Sequence, residues 1–196
     1  LFLAAALAAA APAPAQAPPT TPYLRVEAGA HTAPVNRLAV DAAGRLLATA
    51  SDDRTVRLWS LPDGAPAGVL RVPIAEEAEG ELYAVALTPD GRRLFAAGFT
   101  GFAWDRSFAL YIFDVVEKRM IGRLAPLPAP VVHLALSPDG ARLAAALGGT
   151  AGIRVWDARN GRLLAEDTSY RGPARMVAFT PDAALVTTAA DGLVRL

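Results

Sequence analysis

A four-residue turn sequence recurs along the chain, and its spacing constrains the fold more than any other feature. The copies are rich in Asp, Pro, Gly, Ser and Thr, which are the residues that favour tight turns. Successive copies lie 47, 49 and 43 residues apart. A repeat of this size indicates an array of similar units, each too small to bury its apolar residues alone. The copies are residues 41–44 (DAAG), 88–91 (TPDG), 137–140 (SPDG) and the weaker 180–183 (TPDA).

Short apolar runs surround each turn. In the first unit, residues 35–40, 46–50 and 56–59 alternate between apolar and other side chains, and clusters of Asp, Gly and Ser separate them. This alternation predicts consecutive antiparallel strands joined by tight turns. The third strand of a unit closes on an aromatic residue at Trp59, Phe113 and Trp156, whereas the fourth unit stops one residue short, at Leu196. The chain is therefore predicted to be all-β.

The ends of these units resemble those of WD repeats. Ala30-His31 is similar to the Gly-His start of such a repeat, and residues 56–59 (VRLW) and 153–157 (IRVWD) are similar to its Trp-Asp end. WD repeats form propeller blades of four strands each. The resemblance implies a β-propeller segment of about four four-stranded antiparallel blades, the last one incomplete. It covers residues 23–196, with units at about 28–72, 80–124, 129–166 and 172–196.

The resemblance also implies a buried hydrogen-bonded tetrad in the first unit. Its members would be His31, Asp53, Trp59 and a hydroxyl from Ser51, with Thr49 as the alternative. A His can donate to an Asp, and a hydroxyl can accept the indole N–H. A catalytic His31–Asp53 pair is the competing interpretation, but no nucleophile accompanies it. The other units lack the full set, and the fourth has Asp191 without a His.

The second unit carries an insertion at a predicted hairpin tip, residues 98–108. Aromatic residues combined with Arg are the composition of binding hot spots. The alternative is that the aromatics fold onto the neighbouring blade as an apolar cap. The candidate partner-binding residues are Phe99, Phe102, Trp104, Asp105 and Arg106.

The first residues have the composition of a targeting segment. Residues 1–17 are rich in Ala and Leu and end in small residues spaced like a cleavage site, which predicts the remnant of a signal peptide. Residues 18–22 read as a stiff Pro-rich spacer. An Ala/Pro linker is the alternative. The expected location is periplasmic or secreted, as for a bacterial exported protein, with no membrane insertion after signal removal and with the cytoplasm as the alternative.

The composition narrows the classes of partner and cofactor. The 19 basic and 19 acidic side chains give zero net charge, which supplies no whole-chain attraction for nucleic acid. The chain has no Cys and only two His residues, so no metal site, cofactor site or thiol nucleophile is predicted. Four carboxylates in residues 73–81 favour a solvated loop, because Glu alone lacks the pattern of a calcium loop.

These observations predict a non-catalytic protein-interaction scaffold that binds protein partners through its blade loops, and the remaining blades of the same chain would cover its end faces. Two alternatives stay open. In the first, the chain would be the recognition part of a larger exported enzyme, for example one fused to a caspase-like peptidase domain beyond residue 196. Less favoured is a propeller enzyme of the lactonase or quinone-dependent dehydrogenase type, whose clustered acids, bases or calcium ligands are not found.

Overall fold

The computed structural model describes residues 29–74, 78–102 and 107–196, and their regular structure consists entirely of β-strands. No helix that could cross a membrane occurs in these three ranges. The predicted leader and spacer, residues 1–22, lie outside them. The strands are β1 (Val35–Val40), β2 (Leu46–Ser51), β3 (Thr55–Ser60), β4 (Pro66–Arg71), β5 (Glu81–Leu87), β6 (Arg93–Phe99), β7 (Gly101–Phe102), β8 (Ser107–Asp114), β9 (Arg119–Leu127), β10 (Val131–Leu136), β11 (Arg142–Leu147), β12 (Ile153–Asp157), β13 (Leu163–Asp167), β14 (Ala174–Phe179), β15 (Leu185–Ala189) and β16 (Val194–Arg195).

These strands form four antiparallel sheets in chain order, here called blades one to four. Blade one is β1-β2-β3-β4 and blade three is β10-β11-β12-β13. Blade two contains β5, β6, β8 and β9, with β7 pairing to β8 as an extension of the hairpin. Blade four has only β14, β15 and β16. The first strands of neighbouring blades lie side by side. The prediction of an all-β propeller segment with an incomplete last blade is confirmed.

The recurring turn sequence joins the first two strands of each blade. Its fourth residue has a positive φ in every copy, 65° at Gly44, 71° at Gly91 and 68° at Gly140. Gly adopts this conformation without the steric cost that other residues incur. Blade four has Ala183 at this position, with φ 64°. The Ala in place of Gly makes this copy the weakest match in sequence.

Each innermost strand also carries a bulge at the same place, where one residue has no partner on the neighbouring strand. A bulge increases the local twist and redirects the following side chains. The alternation of apolar residues does not reveal it, because the extra residue only shifts the pattern. The residues that flank the bulge are Val35 and Arg37, Leu82 and Ala84, Val131 and His133, and Ala174 and Met176.

The apolar core lies between consecutive blades. One cluster joins blades one and two, a second joins blades two and three, and a third joins blades three and four. Two arginines tie the blades together at their turns. The Arg93 guanidinium donates to the carbonyl oxygen of Arg159 at 2.9 Å, and that of Arg142 donates to the carbonyl oxygen of Ala183 at 2.7 Å. Face-to-face packing of this kind stabilises neighbouring blades together.

Candidate functional site

The His31 side chain is the centre of a hydrogen-bonded network on the outer face of blade one. Its Nδ1 atom lies 2.8 Å from an Asp53 carboxylate oxygen, and its Nε2 atom lies 2.8 Å from Thr49 Oγ1. The indole Nε1 of Trp59 donates to the same Thr49 oxygen at 2.8 Å. The structure therefore brings three of the predicted tetrad residues together with Thr49.

The chemistry of the groups sets the direction of these hydrogen bonds when the His31 ring is neutral. An ionised carboxylate only accepts, so His31 carries a proton on Nδ1 and Asp53 receives it. In the neutral ring, Nε2 then accepts a hydrogen bond, which the Thr49 hydroxyl donates. The same hydroxyl accepts the indole proton of Trp59. The network is a single chain of donors running from Trp59 through Thr49 and His31 to Asp53.

Ser51 has a different role from the one predicted for it. Its hydroxyl donates to the carbonyl oxygen of Ala33 at 3.2 Å and accepts the backbone N–H of Asp53 at 3.1 Å. The strand register explains the difference. Trp59 pairs with Leu47 across β2 and β3, so the hydroxyl beside the indole is two residues away, at Thr49. Ser51 lies at the end of the strand and shapes the turn that holds Asp53.

The Asp53 carboxylate is fully engaged in structural bonds. Besides His31, it accepts the backbone N–H of Thr32 and both the N–H and hydroxyl of Thr55. Burial acts to raise the pKa of Asp53, but the hydrogen bonds from Thr55 and His31 outweigh it and lower the pKa. These hydrogen bonds hold the His31–Asp53 pair in place, and the hydroxyl beside His31 Nε2, that of Thr49, already accepts the indole N–H of Trp59. This arrangement suits a structural lock rather than proton transfer.

Blade four contains a variant of this network that the sequence did not reveal. The Tyr170 hydroxyl lies 2.6 Å from Thr187 Oγ1, the counterpart of Thr49 in the strand register. Asp191 is the counterpart of Asp53, and Arg195 binds it at 2.6 Å while stacking 4.1 Å from the centroid of the Tyr170 ring. Tyr170 therefore stands where blade one has His31. Thr187, Asp191 and Arg195 follow one another at intervals of four residues. This regular spacing was the signal available in the sequence.

Blades two and three replace the network with apolar packing. In blade three, Leu127 and Ala145 take the register positions of His31 and Thr49, and both pack in one cluster with Trp156. In blade two, Ala96 takes the place of Thr49 and packs in the same cluster as Phe113. These positions carry no polar group that could hold a ligand.

The second candidate site is the long hairpin of blade two. Its strands continue past the body of the blade, because β7 prolongs β6 and pairs with β8. Phe99 is 38% exposed and meets Phe108 edge to face, with ring centroids 5.2 Å apart. The backbone of Phe102 belongs to β7, whereas Trp104, Asp105 and Arg106 lie outside the described ranges.

The hairpin depends on close backbone approaches at two glycines. A Cβ atom on Gly98 would overlap the carbonyl oxygen of Glu81, and one on Gly101 would overlap that of Ser107. Between them, Thr100 is buried and its hydroxyl donates to the carbonyl oxygen of Ala109. The base of the hairpin is therefore a rigid support for the exposed Phe99 ring.

The remaining acidic side chains were compared with the requirements of a metal site in the part of the chain that the structure describes. No group of three or more His, Asp or Glu side chains there is placed to hold a metal ion. Two other carboxylates in turns, Asp90 and Asp139, accept hydrogen bonds from a neighbouring hydroxyl and a backbone N–H. Their role is to close the turns.

Comparison with known proteins agrees with this architecture. Residues 24–60 match the family model of the WD domain, G-beta repeat. The chain is similar to WD repeat-containing protein VIP3 of Arabidopsis thaliana, with 28% identity over 77% of this chain and 47% of that protein. It is also similar to the uncharacterized WD repeat-containing protein sll1491 of Synechocystis, with 27% identity over 81% of this chain and 42% of the relative.

A third relative is much longer. The periodic tryptophan protein 2 homolog of Dictyostelium discoideum is 27% identical over 77% of this chain but only 15% of its own length. The chain thus spans less than half the length of each of these curated relatives. The similarity lies in the repeats.

Proposed function

We propose that this protein is a non-catalytic interaction scaffold of WD repeats, which binds protein partners through its blade loops. The extended hairpin of blade two is the observation that carries the proposal. It holds the exposed Phe99 ring, which meets Phe108 edge to face, above a rigid base, and aromatic residues of this kind anchor protein interfaces. The adjoining residues Phe102, Trp104 and Arg106 have the same hot-spot composition.

The polar network of blade one supports the non-catalytic part of the proposal. His31 and Asp53 are the candidate acid–base pair in the sequence. Their hydrogen bonds are made to one another and to other residues of blade one. The relatives with similar repeats carry WD-repeat names and none is named for a reaction. Function in repeat arrays of this kind generally lies in the loops rather than in the blade cores.

Further blades of the same chain are proposed as the first partners. Leu38 on the outer face of blade one is 65% exposed, whereas its register counterparts Val85, Leu134 and Val177 are at most 5% exposed. In those three cases a preceding blade covers the position. The outer face of blade one therefore has the composition of a blade contact, and repeat arrays need such faces covered.

The proposed location is the periplasm or the outside of the cell, on the strength of the Ala- and Leu-rich residues 1–17. A cytoplasmic protein is the alternative. A recognition domain of a larger exported enzyme would use the same hairpin in the same way and would differ only in its further domains. Fractionation of cells that express the natural gene separates the two locations.

The binding role is tested by exchanging the hairpin aromatics. The double variant Phe102→Ser/Trp104→Ser is compared with wild type for capture of proteins from the source organism, followed by reconstitution with the purified partner. A matched control is Leu163→Ser/Leu164→Ser, which removes two exposed apolar residues of β13. We expect a partner that binds wild type and the control but not the hairpin variant.

The stability of the same variants separates binding from packing. If the hairpin aromatics bind partners, the Phe102→Ser/Trp104→Ser variant unfolds at the same urea concentration as wild type. A large loss of stability together with unchanged partner binding would favour the apolar-cap interpretation and contradict the proposal.

A further inference from the structure

Arg37 and His133 occupy equivalent positions on the innermost strands of blades one and three. Each follows the bulge of its strand, and the two residues pair with Ala50 and Ala146 respectively. Both line one open cavity of about 410 Å³ along the first strands of blades one, two and three. The bulge therefore turns two nitrogen-bearing side chains towards the same space.

Apart from Ser137, the other side chains that line this cavity are apolar, and the strand backbone contributes the remaining polar surface. No Asp or Glu is among the described residues that line it. The one hydroxyl in the wall, that of Ser137, already donates to Asp139 and accepts the N–H of Arg142. The apolar side chains of the wall include Val40, Leu87 and Leu136. Cavities with apolar walls and a few convergent polar groups are typical of small-ligand sites.

The hydrogen bonds of His133 decide which kind of polar group it offers. Its Nδ1 atom accepts the backbone N–H of Val177 at 3.5 Å, so the neutral ring carries its proton on Nε2. Burial, and then the charge of Arg37, lowers the pKa of His133, so the ring is neutral at pH 7. The ring is left with a donor and no acceptor.

Arg37 adds further donors of fixed charge. One of its guanidinium nitrogens donates to the carbonyl oxygen of Asn36 at 3.2 Å, which leaves the other N–H groups available. A cavity wall in which a guanidinium and an imidazole N–H stand among apolar side chains matches a ligand with a carboxylate head and an apolar body. Charge-assisted bonds to carboxylates are the strongest that these donors form.

We propose that the cavity binds the carboxylate of a small apolar molecule, held by the Arg37 guanidinium and the Nε2–H of His133. The carboxylate belongs either to a free short-chain acid or to the C-terminus of an apolar peptide. This site lies on the inner strands and does not depend on the hairpin interaction proposed above.

The two histidines of the chain make a direct test possible. The full chain, labelled with ¹⁵N and ¹³C at histidine, is titrated at pH 7.5 with sodium hexanoate, and with hexanamide as the neutral control. We expect hexanoate to shift the ring signals of His133 saturably while those of His31, which is bound to Asp53 and Thr49, stay in place. Hexanamide should leave both rings unchanged.

Substitutions of Arg37 test whether its positive charge holds the carboxylate. Arg37→Gln should weaken hexanoate binding about tenfold or more, whereas Arg175→Gln should not, since Arg175 is an exposed inner-strand residue outside the cavity wall. Arg37→Lys keeps the charge and should retain part of the affinity. A tripeptide of apolar residues with a free C-terminus, compared with its amide, identifies the source: tighter binding than hexanoate indicates a peptide terminus, and weaker binding indicates a free acid.

Three results would overturn the proposal. They are the absence of a saturable shift with every carboxylate, an equal response to hexanamide, and unchanged hexanoate binding by a folded Arg37→Gln protein. If Arg37→Gln does not fold, the comparison of hexanoate with hexanamide on the wild-type chain and the Arg37→Lys titration decide the matter.

Discussion

Replacing Thr49 with Val tests the hydrogen-bond chain of blade one at its middle link. Val has nearly the same shape as Thr, so the change removes the hydroxyl without opening a cavity. Two short hydrogen bonds disappear, one from Trp59 and one to His31, together with a longer contact of 3.4 Å to the carbonyl oxygen of Arg57. Each of the two short bonds is worth about 0.5–1.5 kcal/mol net. The His31 side chain is only 7% exposed, so its Nε2 atom gains no water in exchange. A buried unpaired group costs about 1–3 kcal/mol.

The free energy of unfolding should therefore fall by about 2–4 kcal/mol. The lost hydrogen bonds and the unpaired group together set an upper limit on this loss. The loss should lie below that limit, because Trp59 is half-buried and water can reach part of its indole edge. Urea denaturation followed by far-ultraviolet circular dichroism measures the change, and an unaltered slope would show that the same surface is exposed on unfolding.

Thr32→Val is the matched control for this substitution. Thr32 is exposed and contacts Asp53 through its backbone N–H, so its change should cost less than about 0.5 kcal/mol. If Thr49→Val proved no more destabilising than Thr32→Val, the network would contribute nothing to stability and the reasoning would be wrong.

Three further changes probe the blades. Trp156→Ala should cost about 3–5 kcal/mol in urea denaturation and clearly more than Trp59→Ala, because Trp156 is buried between two blades; equal losses would contradict this. Gly152→Ala should destabilise the chain by at least about 1–3 kcal/mol more than Gly149→Ala, since both have positive φ but only at Gly152 would a Cβ overlap the backbone of β13. The lowered pKa of His133 means that the unfolded chain binds a proton first, so stability should be complete above pH 6.5 and fall as the pH drops below it; His133→Gln should flatten this part of the pH profile.

The architecture could be predicted because it rests on local sequence. Turn residues at a fixed period and alternating apolar runs specify strands, their order and the missing last strand of blade four. The bulges could not be predicted in this way. At Arg37 and His133 the extra residue changes which side chain faces the cavity, and that outcome depends on how neighbouring strands pair. The strand registers place these two residues as equivalents, and the cavity that they share became visible only in the structure.

The tetrad shows where sequence reasoning stops. Ser51 and Thr49 lie on the same side of one strand, two residues apart, so alternation cannot choose between them. The register that sets Trp59 opposite Leu47 makes the choice. Tyr170 was missed for a different reason. The pattern of blade one has a His at that position. In blade four a Tyr ring lies there instead, and its hydroxyl contacts the Thr187 oxygen.

The polar network of blade one and the apolar packing of blades two and three differ in what covers them. In blades two and three, the residues at these positions are pressed against a preceding blade, and packing of Leu127, Ala145 and Trp156 gains stability only because that neighbour excludes water. Blade one has no such neighbour among the residues described, and its network joins strands within the blade itself. Hydrogen bonds between His31, Asp53 and Thr49 hold their geometry whether or not another blade is docked. The network thus keeps the outer face of blade one in a shape ready for contact, where apolar residues alone would lose their order in water.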